Sequence, residues 1–362
     1  MSFSTTTPPN SERPITHWRA RVPAECRVGI VGAGGIVRQR HLPGLRELAG
    51  VEIVAVANST EASARRFVAE CAPDARPVAD WSALVEDPAI DIVWIGAHPN
   101  LHEPVTIAAL RAGKHVFCQA RMARDLAEAE RMLAASDERP DLVTMLCPPP
   151  FGLRQDAHIR ELLANAIGEP RALRLVSRNG LFLDPNAPAH WRQRREISGK
   201  NVMTLGIYTE VLQRWFGDIS SLSATGEIRT PIRQGYDVTI PEQLTVRAKF
   251  ATGLDGILEF SNIHDGPVEE SLNVTGSAGT LAVDFASESI QLTRGGATAE
   301  LDTPTALSRP WQVERDFIDA VRNPDAQRPH PTFRDGLAYM RVVEAVEVAR
   351  LTGKAVAVQV PN

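Results

Sequence analysis

Short apolar runs alternate with amphipathic stretches through the first 150 residues of the chain. The runs are rich in β-branched residues and predict strands over 27–31, 51–57, 90–95, 115–118 and 142–146. The stretches between them have helical periodicity and predict helices over 37–48, 61–70, 104–112 and 126–135. Because apolar strands that alternate with helices form parallel sheets covered on both faces, we expect an α/β fold, with a doubly wound domain over residues 25–147.

The pattern changes after three consecutive prolines at 148–150. One helix is predicted over 156–164. The strands that follow alternate apolar and polar residues more strictly, over 171–177, 221–228, 243–250, 256–262 and 270–274. Such alternation is typical of a sheet with one covered face, so residues 148–332 predict a C-terminal α+β domain with a large, mostly antiparallel open sheet. Residues 333–362 are expected to form a final helix, over 333–351, and a tail that pack back on the body of the protein.

A polar, proline-bearing segment precedes the first predicted strand. Residues 1–24 predict a flexible N-terminal arm, and residues 1–13 lack the apolar core of a secretory signal. The chain has no run of 18 or more apolar residues that could cross a bilayer. We therefore expect a cytoplasmic protein without a membrane partner.

Charge and composition narrow the expected partners further. The formal net charge is −5, which gives no electrostatic reason to expect nucleic acid. The nine histidines and four cysteines form no C-x-x-C or H-E-x-x-H pattern, so no metal site is predicted. Arg192, Arg194 and Arg195 form a local basic cluster that suits either a small anionic substrate or a solvated turn. The expected partner is a small-molecule substrate.

A glycine-rich turn follows the first predicted strand and opens the first predicted helix. It contains Gly32, Ala33, Gly34, Gly35 and Ile36. Glycines in this position let the backbone approach a pyrophosphate, which then lies at the positive end of the helix. The position of this turn, between strand and helix, predicts a Rossmann domain that binds NAD or NADP.

The end of the second strand bears on the choice between NAD and NADP. An acidic residue there holds the ribose hydroxyls in NAD enzymes, whereas this chain has Asn58, Ser59 and Thr60. The nearby Arg65 could accommodate a 2′-phosphate, which favours NADP slightly. Glu61 could still reach a ribose, so NAD stays open.

Several segments resemble the Gfo/Idh/MocA family, which includes glucose–fructose oxidoreductase and inositol dehydrogenase. They include residues 91–102, 113–118 (Gly-Lys-His-Val-Phe-Cys), 191–192, 206–208, 214–217 and 352–354. The resemblance covers nearly the whole chain from residue 27. It implies a Rossmann domain followed by a substrate domain, and a homodimer or homotetramer that assembles through the C-terminal sheet.

The family also implies which residues form the site. Predicted cofactor contacts are Gly32, Gly34, Gly35, Ile36, Asn58, Ser59, Thr60, His98, Pro99, Asn100, His102 and Gln119. Predicted substrate contacts are His190, Trp191, Arg192, Asn201, Thr204 and Tyr208. Predicted catalytic residues are Tyr208, Arg121 and Gln119.

Two family motifs are altered in this chain. Family members carry E-K-P where this chain has Gln119, Ala120 and Arg121, so the lysine that binds cofactor and substrate is absent. The family motif D-x-G-x-H ends here in Tyr208, which we expect to act as an acid/base if a cation such as Arg121 lowers its pKa. Lys200 is either a replacement for the missing lysine or a lysine in a surface turn.

Three functions are compatible with this atypical site. The first is an NAD(P)-dependent oxidoreductase for a hydroxyl/carbonyl pair in a sugar, polyol or cyclic diol. The second is a redox-neutral lyase or glycosidase-type enzyme that uses tightly bound NAD(H) transiently. The third is a cofactor-binding protein without catalytic activity.

Overall fold

The structure is a computed structural model that describes residues 25–323 and 325–359. The predicted N-terminal arm, residues 1–24, lies outside the described residues. No helix among the described residues is long and apolar enough to cross a membrane.

The N-terminal domain contains a six-stranded sheet in which every neighbouring pair is parallel. Its strands are β1 (Cys26–Val31), β2 (Val51–Ala57), β3 (Arg76–Val78), β4 (Ile92–Ile95), β5 (His115–Cys118) and β6 (Thr144–Leu146). They are ordered β3-β2-β1-β4-β5-β6 across the sheet, so the order reverses between β1 and β4. Open α/β sheets bind ligands at such a reversal, beyond the carboxyl ends of the strands. The predicted doubly wound Rossmann domain is confirmed.

Helices cover both faces of this sheet. They are α1 (Leu42–Arg46), α2 (Glu61–Cys71), α3 (Trp81–Glu86), α4 (Pro99–Arg111) and α5 (Leu126–Asp137). A π-helical segment, Val37–His41, runs without interruption into α1. Helix α4 begins five residues before the predicted start at 104, because Pro99 occupies the first helical position, where a missing N–H costs nothing.

The second domain is built on a nine-stranded sheet. Its order is β16-β15-β14-β13-β7-β12-β11-β8-β17. The strands are β7 (Pro170–Arg178), β8 (Ile219–Glu227), β11 (Gln243–Phe250), β12 (Asp255–Ser261), β13 (Glu269–Gly276), β14 (Thr280–Asp284), β15 (Ser289–Arg294), β16 (Ala297–Glu300) and β17 (Val356–Ala357), and a separate hairpin contains β9 (Ile232–Arg233) and β10 (Tyr236–Asp237). All neighbours are antiparallel except β12 and β7, which are parallel. The predicted α+β domain with a mostly antiparallel sheet is therefore confirmed.

Two long helices cover the inner face of the large sheet. The helices after β6 are α6 (Asp156–Asn165), α7 (Arg195–Ser198), α8 (Leu205–Phe216), α9 (Val313–Arg322) and α10 (Phe333–Thr352). Apolar residues of α8 and α10 share one core with the inward residues of β11, β12 and β13. Helix α10 also contacts α5 of the first domain, so it packs against both domains.

The open face of the large sheet is polar. Its central strands carry Arg174, Arg178 and Glu259, and Glu259 forms ion pairs with both arginines. An exposed apolar face, which would require cover by a second subunit, is therefore not present on these strands. The homodimer or homotetramer expected through this face stays a prediction.

Helix α9 corrects the predicted domain boundary. The sequence analysis assigned residues 148–332 to the second domain, but Val313, Phe317 and Ile318 of α9 pack in the core beneath the Rossmann sheet. Phe317 meets Trp94 of β4 edge to face. The chain therefore returns to the first domain before α10 begins.

A buried arginine fixes the loop that precedes α7. The Arg233 guanidinium donates to the carbonyl oxygens of Phe182 and Asp184, each at 2.6 Å, and to Glu242 at 2.8 Å. Glu242 also accepts from the Gln193 side chain and from the backbone N–H groups of Arg229 and Thr230. Both members of the ion pair are fully buried, with side-chain exposures of 1% and 0%.

We predict that Glu242→Gln lowers the free energy of unfolding by at least about 2 kcal/mol, because it leaves the Arg233 charge buried without a counter-charge. Asp255→Asn is the matched control, since Asp255 forms an exposed ion pair with Lys249 and should contribute less than about 1 kcal/mol. Urea unfolding followed by circular dichroism measures both values. Equal stability of the two variants would contradict the prediction.

Candidate active site

The glycine turn after β1 is fixed by close contact with the end of β4. Gly32 has φ of +85°, and a Cβ built on it would lie 2.4 Å from the Cα and N atoms of Ala97. The Gly32 N–H donates to the carbonyl oxygen of Ala57 at 2.8 Å, which ties the turn to β2 as well. Only glycine fits this position, both for its backbone conformation and for its space.

The next two glycines face open space. A Cβ on Gly34 or Gly35 would meet no atom within 4 Å. The first helical turn begins at Gly35, so the N–H groups there have no acceptor within the helix. An open approach to a positive helix end is what a pyrophosphate requires. The turn therefore fits the phosphates of a dinucleotide.

Asn58 shapes this turn from the end of β2. Its Oδ1 accepts from the Ala33 N–H at 2.6 Å, and its Nδ2 donates to the Ser63 carbonyl oxygen at 3.4 Å. Thr60 caps α2, with its hydroxyl accepting from the Ser63 N–H. Arg65 forms an exposed ion pair with Glu61 of the same helix.

A cavity of about 560 Å³ lies against the glycine turn. Of the predicted cofactor contacts, those that line it are Gly32, Gly34, Asn58, Ser59, His98 and Asn100. The predicted contacts that do not line it are Gly35, Ile36, Thr60, Pro99, His102 and Gln119. The lining residues that sequence reasoning missed include Asp80, Trp81, Gly96 and Ile197. Asp80 could have been recognised by its position, because it is an N-cap directly after a short strand.

His98 joins this cavity to the second domain. It caps α4, lines the cavity, and stacks on Trp191 with ring centroids 4.5 Å apart and an interplanar angle of 21°. Partial burial of the ring and the nearby Arg192 charge lower the pKa of His98. The imidazole is therefore neutral near pH 7 and able to accept a proton.

Two arginines and a second histidine surround Trp191. The guanidinium carbons of Arg192 and Arg121 lie 4.2 and 5.9 Å from the indole centroid. His190 caps the short helix that holds Trp191, and its Nδ1 accepts from the Arg192 N–H at 3.2 Å. Burial, followed by the charge of Arg192, lowers the pKa of His190. The structure thus brings together the three predicted substrate contacts at 190–192.

Arg121 is almost completely buried, with 2% of its surface exposed. Its Nη1 donates to the Met203 carbonyl oxygen at 3.1 Å, whereas its Nε has no acceptor among the described residues. His102 is also buried and contacts the backbone of two loops. Its Nδ1 lies 2.9 Å from the carbonyl oxygen of Arg121, and its Nε2 lies 3.0 Å from the carbonyl oxygen of Ala97. His102 is therefore a positioning residue for both loops.

Gln119 ends a buried chain of polar side chains that no pattern in the sequence indicates. Its amide Nε2 lies 2.5 Å from His41 Nε2, and His41 Nδ1 lies 2.5 Å from Glu314. The Trp311 indole N–H donates to the same carboxylate. Because an amide N–H must donate, His41 accepts at Nε2 and donates from Nδ1 to Glu314. This chain holds the Gln119 side chain in one orientation.

Tyr208 of α8 is buried in the core that α8 and α10 form with the large sheet. Its hydroxyl donates to Glu270 at 2.5 Å, and its ring stacks on Phe151 with centroids 4.7 Å apart. Burial first, and then the Glu270 charge, raise the pKa of Tyr208. The expectation that Arg121 lowers this pKa is therefore wrong in direction. Thr204, at the start of the same helix, shares a hydrogen bond with Ser177 at 2.9 Å.

Asn201 and Lys200 have structural partners. Asn201 is buried, and its amide donates to the carbonyl oxygens of Ala123 and Ser198. Its Nδ2 therefore joins the two domains, whereas its Oδ1 has no partner among the described residues, so the predicted substrate contact stays a prediction. Lys200 Nζ lies 2.5 Å from Glu344 of α10, so it is engaged in an ion pair and does not replace the family lysine at the cofactor cavity.

Comparison with known proteins identifies both domains. Residues 26–146 match the profile of an oxidoreductase family with an NAD-binding Rossmann fold, GFO_IDH_MocA, and residues 157–282 match the GFO/IDH/MocA C-terminal domain. Inositol 2-dehydrogenase of Agrobacterium fabrum is 27% identical over 345 residues, which is 92% of this chain and 97% of that enzyme. Levoglucosan dehydrogenase of Pseudarthrobacter phenanthrenivorans is 26% identical over 262 residues, and the match spans 65% of each chain.

Solved structures show the same fold. Levoglucosan dehydrogenase in complex with NADH and levoglucosan aligns with a TM-score of 0.83 over 93% of this chain and 100% of that one, at 20% identity. An NAD binding oxidoreductase from Klebsiella pneumoniae aligns with a TM-score of 0.80 over 94% of this chain and 100% of that one, at 24% identity.

We predict that Gly34→Ala leaves the melting temperature unchanged and weakens NADH and NADPH binding by about tenfold, because the methyl group enters open space that the pyrophosphate needs. Gly32→Ala is the contrasting variant and should lower the melting temperature as well, since its Cβ would collide with Ala97. Fluorescence titration and thermal melting measure the two effects. Unchanged affinity in Gly34→Ala would mean that the phosphates bind elsewhere.

Proposed function

The chain belongs to the GFO/IDH/MocA family of oxidoreductases, and from this premise we propose that it is an NAD(P)-dependent oxidoreductase for a hydroxyl/carbonyl pair in a sugar, polyol or cyclic diol. The names of the relatives support this substrate class, since they refer to inositol and to levoglucosan. The relatives' substrates differ among themselves, so the individual substrate is left to experiment.

The contact between His98 and Trp191 is the observation that carries the proposal. His98 lines the cavity beside the glycine turn, and Trp191 belongs to the loop that the second domain presents to it. A substrate held by the residues at 190–192 would therefore lie next to a dinucleotide held by the turn. Transfer of a hydride between substrate and dinucleotide requires that the two molecules lie next to each other in this way.

A bound nicotinamide supplies or accepts the hydride, so the chain must supply or accept the hydroxyl proton. We assign this role to His98. Its ring lines the cavity, and its lowered pKa keeps it neutral near pH 7. Tyr208 is the alternative, with Glu270 as the group that takes its proton.

Gln119 and Asn58 are the proposed cofactor-orienting groups. The His41 ring holds the Gln119 amide nitrogen, which leaves the amide oxygen to accept from a cofactor carboxamide. At the other end of the cavity, Asn58 and Ser59 bring no negative charge to the ribose, which supports a slight preference for NADP over NAD.

The overall proposal predicts a change in nicotinamide absorbance when the protein is mixed with NAD⁺ or NADP⁺ and a panel of inositols, anhydrosugars, aldoses, cyclic diols, sugar acids and sugar phosphates. Product analysis by chromatography runs in parallel. Cofactor binding without conversion of any substrate in either direction would contradict the proposal. Conversion without net absorbance change would instead identify a redox-neutral enzyme.

We predict that His98→Gln lowers kcat for oxidation by about 100-fold or more, because a positioned base is lost. In the wild type, the rate should rise with pH through the pKa of His98, which lies below the ordinary value of 6.5, and then stay level. This rise should be absent in His98→Gln. His330→Gln is the matched control, since His330 is an exposed side chain paired with Asp335.

Tyr208→Phe distinguishes the alternative. If His98 is the base, the rate of Tyr208→Phe still rises with pH through the pKa of His98. The main effect of this variant is then a lower free energy of unfolding, because the buried Glu270 carboxyl loses its hydrogen-bond donor. If Tyr208→Phe abolishes turnover while His98→Gln does not, the acid/base is Tyr208.

A further inference from the structure

Two guanidinium groups at the boundary between the domains have no counter-charge. No carboxylate of the described residues lies within 4 Å of Arg121 or Arg192. Arg121 makes a single side-chain hydrogen bond, to a backbone carbonyl, and the Arg192 guanidinium makes none to the described residues. Both rest on the same indole, that of Trp191.

Arg233, a buried arginine with a purely structural role, has both hydrogen-bond and charge partners. Its guanidinium donates to one carboxylate and two carbonyl oxygens, and its charge is matched by Glu242. Arg121 is equally buried, with 2% of its surface exposed, but it lacks the carboxylate and one of the carbonyls. Since a buried charge without a partner is costly, the unpaired N–H groups of these two guanidiniums are suited to binding an anion.

Arg121 and Arg192 lie away from the glycine turn that would hold the phosphates. His98 lines the cavity beside that turn, whereas neither arginine does. Arg121 follows β5, and Arg192 lies in the second domain, so the two approach Trp191 from different domains. A ligand bound between them would contact the substrate loop and would be close to His98.

We propose that the substrate carries an anionic group, a carboxylate or a phosphate, that binds between Arg121 and Arg192. The proposal rests on the proposed function, because it assigns the substrate to the same cleft, and it narrows the class to sugar acids or sugar phosphates. Guanidinium groups suit this role, since their N–H groups match the two oxygens of such anions. Burial lowers the pKa of both guanidinium groups, and the Arg192 charge lowers the pKa of Arg121 further. A bound anion would oppose both effects.

The test uses small anions, so that it does not depend on turnover. Wild-type protein saturated with NADP⁺ or NAD⁺ is titrated with inorganic phosphate and with malonate in low-salt buffer, and tryptophan fluorescence reports binding near Trp191. We expect saturable binding that weakens at least about tenfold in Arg192→Gln and partly returns in Arg192→Lys. Arg194→Gln is the matched control, because Arg194 faces Glu196 and the Tyr236 ring.

A second arm measures, by the same fluorescence titration, the binding of D-glucuronate, its neutral amide and glucose 6-phosphate. Tighter binding of D-glucuronate than of its amide points to a carboxylate as the anionic group. Tighter binding of glucose 6-phosphate than of D-glucuronate points to a phosphate. Either preference should be lost in Arg192→Gln and kept in Arg194→Gln.

Three results would overturn the proposal. The first is the absence of saturable anion binding in the wild type, and the second is equal binding in Arg192→Gln. The third is a loss of NADH affinity in Arg192→Gln as large as the loss of anion affinity, because the arginines would then serve the cofactor pyrophosphate. Absence of turnover with every substrate, alongside intact anion binding, would contradict the proposed function and leave this site in place.

Discussion

The close approach of the turn after β1 to the end of β4 is the constraint on which the cleft depends. A side chain at Gly32 would collide with the Ala97 backbone, and a side chain at Gly96 would lie 2.6 Å from the Gly32 carbonyl oxygen. Because both sides of the contact are glycine, the two loops touch where the strand order reverses. The contact leaves Gly34 and Gly35 open to a phosphate on one side. On the other side it sets the start of α4, and with it the place of His98.

The sequence was most informative where local pattern and local structure coincide. The apolar strands of the first domain and the glycine turn were predicted because each depends on a few neighbouring residues. Strand β16 was missed because it lies at the edge of the sheet, is exposed along its whole length and has no apolar alternation. Strands β14 and β15 were missed as well, although β14 alternates buried and half-buried residues. Helix α9 has a clear apolar face, but only the fold reveals that this face packs under the Rossmann sheet.

The site was predictable only in part, because its contacts join distant parts of the chain. His41 and Glu314 are 273 residues apart, and Tyr208 and Glu270 are 62 apart, so no spacing in the sequence connects them. Family resemblance identified Gln119 and Tyr208 as important positions, but their partners decide what they can do. A tyrosine that donates to a buried carboxylate is held protonated, whereas the same residue beside a free cation would ionise more readily. Asn201 likewise uses its amide nitrogen to hold two backbone carbonyls, which no spacing in the sequence indicates.

In the proposed site, Trp191 would connect recognition of an anion to proton transfer by His98. The Arg192 charge contributes to the lowered pKa values of His98, His190 and Arg121, which all lie around the same indole. An anion seated on Arg192 would cancel part of that charge and would therefore raise the pKa of His98 towards its ordinary value. A base is most effective when its pKa is close to the working pH, so a charged ligand would strengthen the base that acts on it. A neutral sugar in the same place would leave the two arginines unpaired and His98 the weaker base.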